Sequence, residues 1–240
     1  MLPAMELERL LHSQGFGSRK ACRALIEAGR VALAAGPCLN PKTPVSADLA
    51  FWVDGHPWQA ASKVYLLLNK PTGYECSRAP QHHLPVLRLL PAPYVERGVQ
   101  PVGRLDADTT GLLLLSDDGQ FIHHFTSPRR HVPKTYAVSV RHPLDDTQLT
   151  ALRQGVQLHD EPAPLAALAC AARDSHTLLL TIGEGKYHQV KRMVAAAGNR
   201  VDALHREAMG ELALPANLAP GQWRELTAED FSQLGWPCGG

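Results

Sequence analysis

The stretch P-V-G-R-L-D-A-D-T-T-G-L-L-L-L-S-D-D-G, Pro101 to Gly119, decides how the fold is read. Four consecutive leucines, Leu112 to Leu115, closed by the turn-forming Asp117-Asp118-Gly119, predict a strand buried on both faces. Arg104, Asp106 and Asp108 stand just before it, where an exposed loop runs into the core. A carboxylate at such a junction is partly desolvated, positioned by its neighbours and still open to a substrate. Asp and Thr at the same place also cap turns through hydrogen bonds to backbone, and spacing alone does not choose between the two readings.

A chain of 240 residues has room for one large domain, or for a small and a medium one. The formal charge of +1 conceals a basic patch, because Gly15 to Arg30 carries Arg19, Lys20, Arg23 and Arg30 against Glu27 alone. Five cysteines, Cys22, Cys38, Cys76, Cys170 and Cys238, form no C-x-x-C pair; their odd number suits a reducing compartment, and each is read as a buried small hydrophobe. The adjacent pairs His82-His83 and His123-His124 invite a metal reading, yet no H-x-x-x-H or H-E-x-x-H spacing stands with carboxylate or Cys ligands, so no metal site is expected. The N-terminus lacks a basic region followed by an apolar core, and no apolar run approaches the roughly twenty residues needed to span a bilayer. A cytoplasmic protein with no membrane partner is expected.

Met5, Leu7, Leu10 and Leu11 fit a short helix ending near Gly15. A second starts after Ser18, a good N-cap, and stops at Gly29. Its cations Arg19, Lys20 and Arg23, with Arg30 just beyond, either track an RNA backbone or make a solvated face. Short strands are predicted at Val31 to Leu33 and Phe51 to Gly55, a linker over His56 to Lys63, and a buried strand from Val64 to Leu68 that enters a tight turn at Asn69 to Gly73. Lys70 in that turn meets phosphate, meets solvent or serves the structure, and the local reading leans to structure. Arg78 to Gln100, rich in proline, reads as a long irregular connection.

Beyond Gly119 the pattern predicts a helix over Gln120 to Thr126, a basic loop at Ser127 to His131, and a strand from Lys134 to Val140 that carries Tyr136. A helix over Asp145 to Gln154 and strands at Leu165 to Ala171 and Thr177 to Ile182 follow. Val190, Met193, Val194 and Ala197 recur at helical spacing up to Gly198. Lys191 and Arg192 lie off that stripe near the helix start, where the macrodipole disfavours cations; they face either an anionic partner or solvent. Val201 to Leu214 and Leu218 to Leu226 supply short strands before a tail of Pro and Gly. The architecture is a basic helical module, residues 1–60, followed by a mixed, strand-rich domain, residues 61–240.

The stretch E-R-L-L-H-S-Q-G-F-G-S-R-K-A-C-R-A-L-I-E-A-G-R-V, with V-D-G at Val53 to Gly55, resembles an S4 RNA-binding domain, which implies that the second helix meets RNA through Arg19, Lys20, Arg23 and Arg30. Ala34-Ala35-Gly36 departs from the V-x-V-N-G of many members. Further on, Asn69-Lys70-Pro71, G-R-L-D at Gly103 to Asp106 followed by T-x-G-L-L-L-L, K-T-Y at Lys134 to Tyr136, and Y-H-Q-V-K-R-M at Tyr187 to Met193 resemble RNA pseudouridine synthases of the RsuA branch. S-D-D-G-Q, G-V-Q-L-H-D-E and L-A-P-G-Q-W-R-E-L-T are similar to the members of that branch that act on 16S ribosomal RNA.

The resemblance implies an α+β protein, a small S4-like domain plus a mixed, mainly antiparallel sheet with flanking helices. It also implies isomerisation of one uridine to pseudouridine without cofactor or metal. Asp106 would be the catalytic acid residue, attacking C1′ or removing the proton at C2′. Tyr136 would stack on the uracil and assist loss of the C5 proton. Lys191 would be the cation beside Asp106, with Arg192 as second candidate, and Leu204 the apolar floor under the base. Arg104 would hold a phosphate or fill the gap left by a flipped nucleotide, and Lys70 joins the substrate-contacting set. Asp108 is assigned a turn-capping role, although two carboxylates at this spacing also suit glycoside hydrolysis. The implied partner is 16S ribosomal RNA or a small-subunit assembly intermediate, met by a monomer. A ribosome-assembly protein without activity and an N-glycosidase releasing free uracil are the competing readings.

Overall fold

The computed structural model of the protein describes residues 5–77 and 79–237. The expectations placed on Cys238, and on Arg78 at the start of the irregular connection, lie outside the described residues. The chain forms two compact units, the first gathering everything up to Val64 with Leu90–Gln100 and Ser116–Asp118, the second the remainder.

In the first unit, α1 (Leu7–Ser13) buries Leu7, Leu10 and Leu11, the one-face spacing of an amphipathic helix. α2 (Arg19–Glu27) begins where the Ser18 hydroxyl accepts from the Ala21 N–H at 3.3 Å, and turns Cys22 and Ile26 inward. The strands β1 (Val31–Leu33), β2 (Gly36–Pro37), β3 (Ala50–Val53) and β4 (His56–Gln59) make an antiparallel sheet in the order β2-β1-β3-β4. The expected linker at His56 is therefore a strand in its first half. Val53 pairs with His56, leaving Asp54-Gly55 as a two-residue turn with φ of 51° and 78°, the left-handed pair that matches strand twist. The expected irregular connection contains a helix, α3 (Ala92–Glu96). Arg97, just after it, is almost wholly buried; it donates to Asp117 at 2.8 and 3.0 Å, to the Gln14 amide oxygen at 2.6 Å and to the Ala61 carbonyl at 3.0 Å. A guanidinium buried with this many acceptors ties three stretches of the unit together.

The second unit is built on one sheet. Its strands are β5 (Tyr65–Lys70), β6 (Thr110–Ser116), β7 (Lys134–Val140), β8 (Ala169–Ala172), β9 (Thr177–Ile182), β10 (Val201–Met209) and β11 (Trp223–Glu225), in the order β8-β9-β7-β10-β6-β5-β11. β7 pairs antiparallel with both β9 and β10, as do β8 with β9 and β5 with β11, whereas β6 and β10 run parallel. Leu112 to Leu115 are all fully buried, as a strand covered on both faces requires. Flanking helices are α4 (Gly119–Thr126), α5 (Asp146–Gln154), α6 (Gln189–Ala196) and α7 (Ala228–Gln233). Leu67, Leu112, Leu114, Phe121, Phe125, Met209 and Phe231 form its apolar core.

Two corrections concern the end of the chain. The stretch from Val201 to Leu214, expected as short strands, opens with one nine-residue strand, β10, before the two-residue strand Leu212–Ala213, while the short strand expected within Leu218 to Leu226 is β11. The tail holds α7, opened by a capping box in which Thr227 and Asp230 satisfy each other's backbone N–H. Among the cysteines, Cys22 and Cys170 are buried, but Cys38 and Cys76 are only partly so. No helix among the described residues is long and apolar enough to cross a membrane.

One close approach fixes the path of the chain into β6. Gly111 at the start of β6 pairs with Arg206 on β10; it has φ of 104°, and a Cβ there would lie 2.3 Å from the Arg206 carbonyl oxygen. Only glycine permits this. The loop before β6 is thereby drawn beside β10 and β7.

Candidate active site

Asp106 lies in the loop that enters β6, and the loop is held from beneath by Lys70. The Lys70 side chain is fully buried, and its ammonium donates to the carbonyls of Asp106 at 3.0 Å, Thr109 at 2.8 Å and Pro71 at 3.0 Å. Burial pushes the Lys70 pKa down, and the carbonyl dipoles are what make an ammonium tolerable there. Its three hydrogens are committed, so the expectation that Lys70 contacts substrate is corrected: it fixes the backbone of the acid residue.

The Asp106 carboxylate faces the start of α6. Its Oδ2 lies 3.0 Å from Lys191 Nζ and 3.4 Å from His188 Nε2. Lys191 also donates to both oxygens of Asp108, at 2.8 and 2.9 Å. The turn-capping role expected for Asp108 is thus replaced by an ion pair reaching 83 residues along the chain. Burial pushes the Asp108 carboxyl up, but the hydrogen bond and charge of Lys191 outweigh it and hold the group below the ordinary range. Burial likewise presses Lys191 down, while the two carboxylates lift it above its usual value.

Across the cleft stand Tyr136 on β7 and Leu204 on β10, both nearly buried. Antiparallel pairing of Val138 with Leu204 and of Tyr136 with Arg206 brings these two strands into register at the cleft. Arg104 lies at its exposed mouth. Asp106, Tyr136, Lys191, Leu204 and Arg104 therefore line one cavity. Arg192 does not: it pairs with Asp160 and donates to the Tyr187 carbonyl at 3.1 Å, outside the cleft. Its place one residue after Lys191 turns it to another side of the helix.

His188 and Gln189 belong to the site and were carried by Y-H-Q without being singled out. His188 is the N-cap of α6 with φ of 48°, a left-handed conformation uncommon for a residue with a side chain. Gln189 is buried; it donates to Glu184 at 2.9 Å and accepts from the Lys186 N–H at 3.0 Å, which locks the turn before the helix. The arrangement presents a carboxylate with a lysine and a histidine against one of its oxygens, in a cleft also lined by an aromatic ring and a leucine. Such a slot suits a flat ring held while a bond on the attached carbon is changed.

In the first unit, Arg23 is bound by Glu8 at 2.9 and 3.2 Å and Arg30 by Asp54 at 2.6 and 2.7 Å. Arg19 and Lys20 are exposed and carry no ion pair among the described residues. The four cations expected to act together thus divide into two internal pairs and two free charges.

Residues 64–196 match a family described as RNA pseudouridylate synthase. The chain is 40% identical over 234 residues to "Ribosomal small subunit pseudouridine synthase A" of Yersinia pestis, covering 97% of this chain and 99% of that protein. It is 45% identical over 188 residues to the protein of the same description from Escherichia coli strain K12, covering 78% and 80% respectively. A solved structure described as "Crystal structure of pseudouridylate synthase" superposes with a TM-score of 0.68 at 32% identity, covering 96% of this chain and 99% of that one.

Proposed function

We propose, since this chain belongs to the RNA pseudouridylate synthase family, that it converts one uridine of small-subunit ribosomal RNA to pseudouridine, using its own side chains and no cofactor. The relatives described as ribosomal small subunit pseudouridine synthases support that choice of RNA. The observation that carries the chemistry is Lys191 Nζ at 3.0 Å from Asp106 Oδ2, in a cleft shared with Tyr136 and Leu204.

The reaction breaks the bond from N1 to C1′, turns the uracil, joins C5 to C1′, releases the C5 proton and puts a proton on N1, so the product has the mass of the substrate. Asp106 serves either by attacking C1′ or by taking the C2′ proton, and both routes need it ionised. Lys191 supplies the positive charge beside the Asp106 carboxylate, 3.0 Å from Oδ2. Tyr136 and Leu204 hold the detached base between them, which keeps it from leaving while it turns. Arg104, at the exposed mouth, contacts the RNA around the flipped nucleotide.

The first unit is proposed to be an S4-like RNA-binding domain, its boundary near residue 60. Arg19 and Lys20 are the RNA-facing charges, whereas the pairs made by Arg23 and Arg30 favour a role within the fold. The working form is taken to be a cytoplasmic monomer acting on naked 16S RNA or on an assembling subunit.

The test is pseudouridine formation in 16S RNA by wild type and Asp106→Asn. Wild type is expected to produce one pseudouridine and the variant none. Equal product from both, no product from wild type on a competent RNA, or free uracil with an abasic site refutes the proposal.

A further inference from the structure

Next to the Asp106 cleft lies a second cavity, of about 250 Å³, which shares Arg104, Tyr136 and Lys186 with it. Its inner wall carries Lys134 and Arg206, neither of which the proposed reaction uses. Arg206 is 2% exposed; its Nε donates to the Leu112 carbonyl at 2.7 Å, while Nη2 has no partner among the described residues. Among the described residues Lys134 donates once, to the Val132 carbonyl at 2.8 Å, which leaves two of its hydrogens uncommitted there. The lining thus holds four cations against one carboxylate, Glu184, whose Oε2 already accepts from Gln189. Lys186 is paired outside the cavity with Glu161. A buried donor without an acceptor is costly unless a ligand supplies one.

We infer that this cavity is a phosphate subsite, in which Lys134 and Arg206 bind the phosphodiester adjoining the target uridine. Both side chains offer donors only, and a half-engaged guanidinium suits anionic oxygens. Phe125 and Met209 give the same cavity an apolar wall on which the attached ribose packs. Because the cavity adjoins the cleft and shares Tyr136 with it, a phosphate bound there belongs to a linkage next to the base in the cleft. Burial, aided by the charge of Arg206 and only partly offset by that of Glu184, pushes Lys134 down to about 8. The inference rests on the proposed function, since it assumes RNA in the cleft.

The test combines Lys134→Gln with substrates in which each phosphodiester flanking the target is replaced, one at a time, by an uncharged methylphosphonate. At one linkage, the replacement and the variant are each expected to lower kcat/KM roughly 10- to 100-fold, and together to lower it no further than either alone. Lys134→Arg, which keeps the charge, is expected to retain the full methylphosphonate penalty. Losses that multiply at every linkage, or a Lys134→Gln enzyme equal to wild type on unmodified RNA, overturn the subsite. A wild type that makes no pseudouridine on unmodified RNA overturns the proposed function instead, so the two failures are distinct.

Discussion

Lys191→Met removes the ammonium from the cleft while keeping an unbranched side chain of similar length on α6. At 3.0 Å from the Asp106 oxygen, a unit charge pair is worth about 5.5 kcal/mol at an effective dielectric constant of about 20. The Asp106 side chain is 33% exposed and that of Lys191 26%, so solvent screening reduces this to about 2–3 kcal/mol. If that support acts on the rate-limiting chemistry, the loss is about 30- to 160-fold in rate. Asp108, 71% exposed, adds little of its own, but without Lys191 its charge repels Asp106 and works in the same direction. The assay is release of tritium from C5-labelled uridine under single turnover, with enzyme in excess over RNA, so that binding and product release do not enter. Thermal melting accompanies it. A Lys191→Met enzyme that melts as wild type does and reacts within about threefold of its rate refutes the view that this lysine supports the acid.

Asp108→Asn keeps one oxygen acceptor for Lys191 and leaves Asp106 as its remaining carboxylate partner; the single-turnover rate is expected to fall less than about fivefold, and a loss as large as that of Lys191→Met would contradict it. Wild-type kcat/KM is expected to decline as pH rises through about 8, where Lys134, facing Arg206 and Glu184, gives up its proton in the free enzyme. Lys134→Arg should remain flat there, and a shared decline would assign the limb to another group. Because the folded value lies below the ordinary 10.5, the unfolded chain binds more protons between about 8 and 10.5, so Lys134 contributes stability that grows with pH across that window. Gly111→Ala drives a Cβ into the Arg206 carbonyl and should cost about 3–5 kcal/mol; a melting temperature within about 2 °C of wild type would refute the close approach. Arg19→Ala with Lys20→Ala should weaken RNA binding and lower its salt slope by about 1 to 2, with single-turnover chemistry on saturating RNA unchanged.

The leucine run was legible because a strand buried on both faces needs nothing but apolar residues, and all four came out fully buried. The meeting of Asp106, Tyr136 and Lys191 was carried by resemblance, not by periodicity. It depends on a strand order in which β7 sits between β9 and β10, and no local pattern encodes that order. Lys70 and Asp108 were misjudged for one reason: their partners are a set of main-chain carbonyls and a lysine 83 residues away, neither of which leaves a mark in neighbouring residue types. The hairpin at Asp54-Gly55 and the capping box at Thr227 did carry local signals, a D-G turn and a Thr three residues before an Asp.

Two lysines divide the care of one aspartate. Lys70 grips residue 106 by its peptide oxygen, so the acid is anchored without its charge being quenched, and Lys191 meets the charge without having to anchor it. Position and potential can therefore be tuned apart: an exchange at 191 alters the field on the carboxylate while the loop stays where it was, and one at 70 loosens the loop with the field's source still in place.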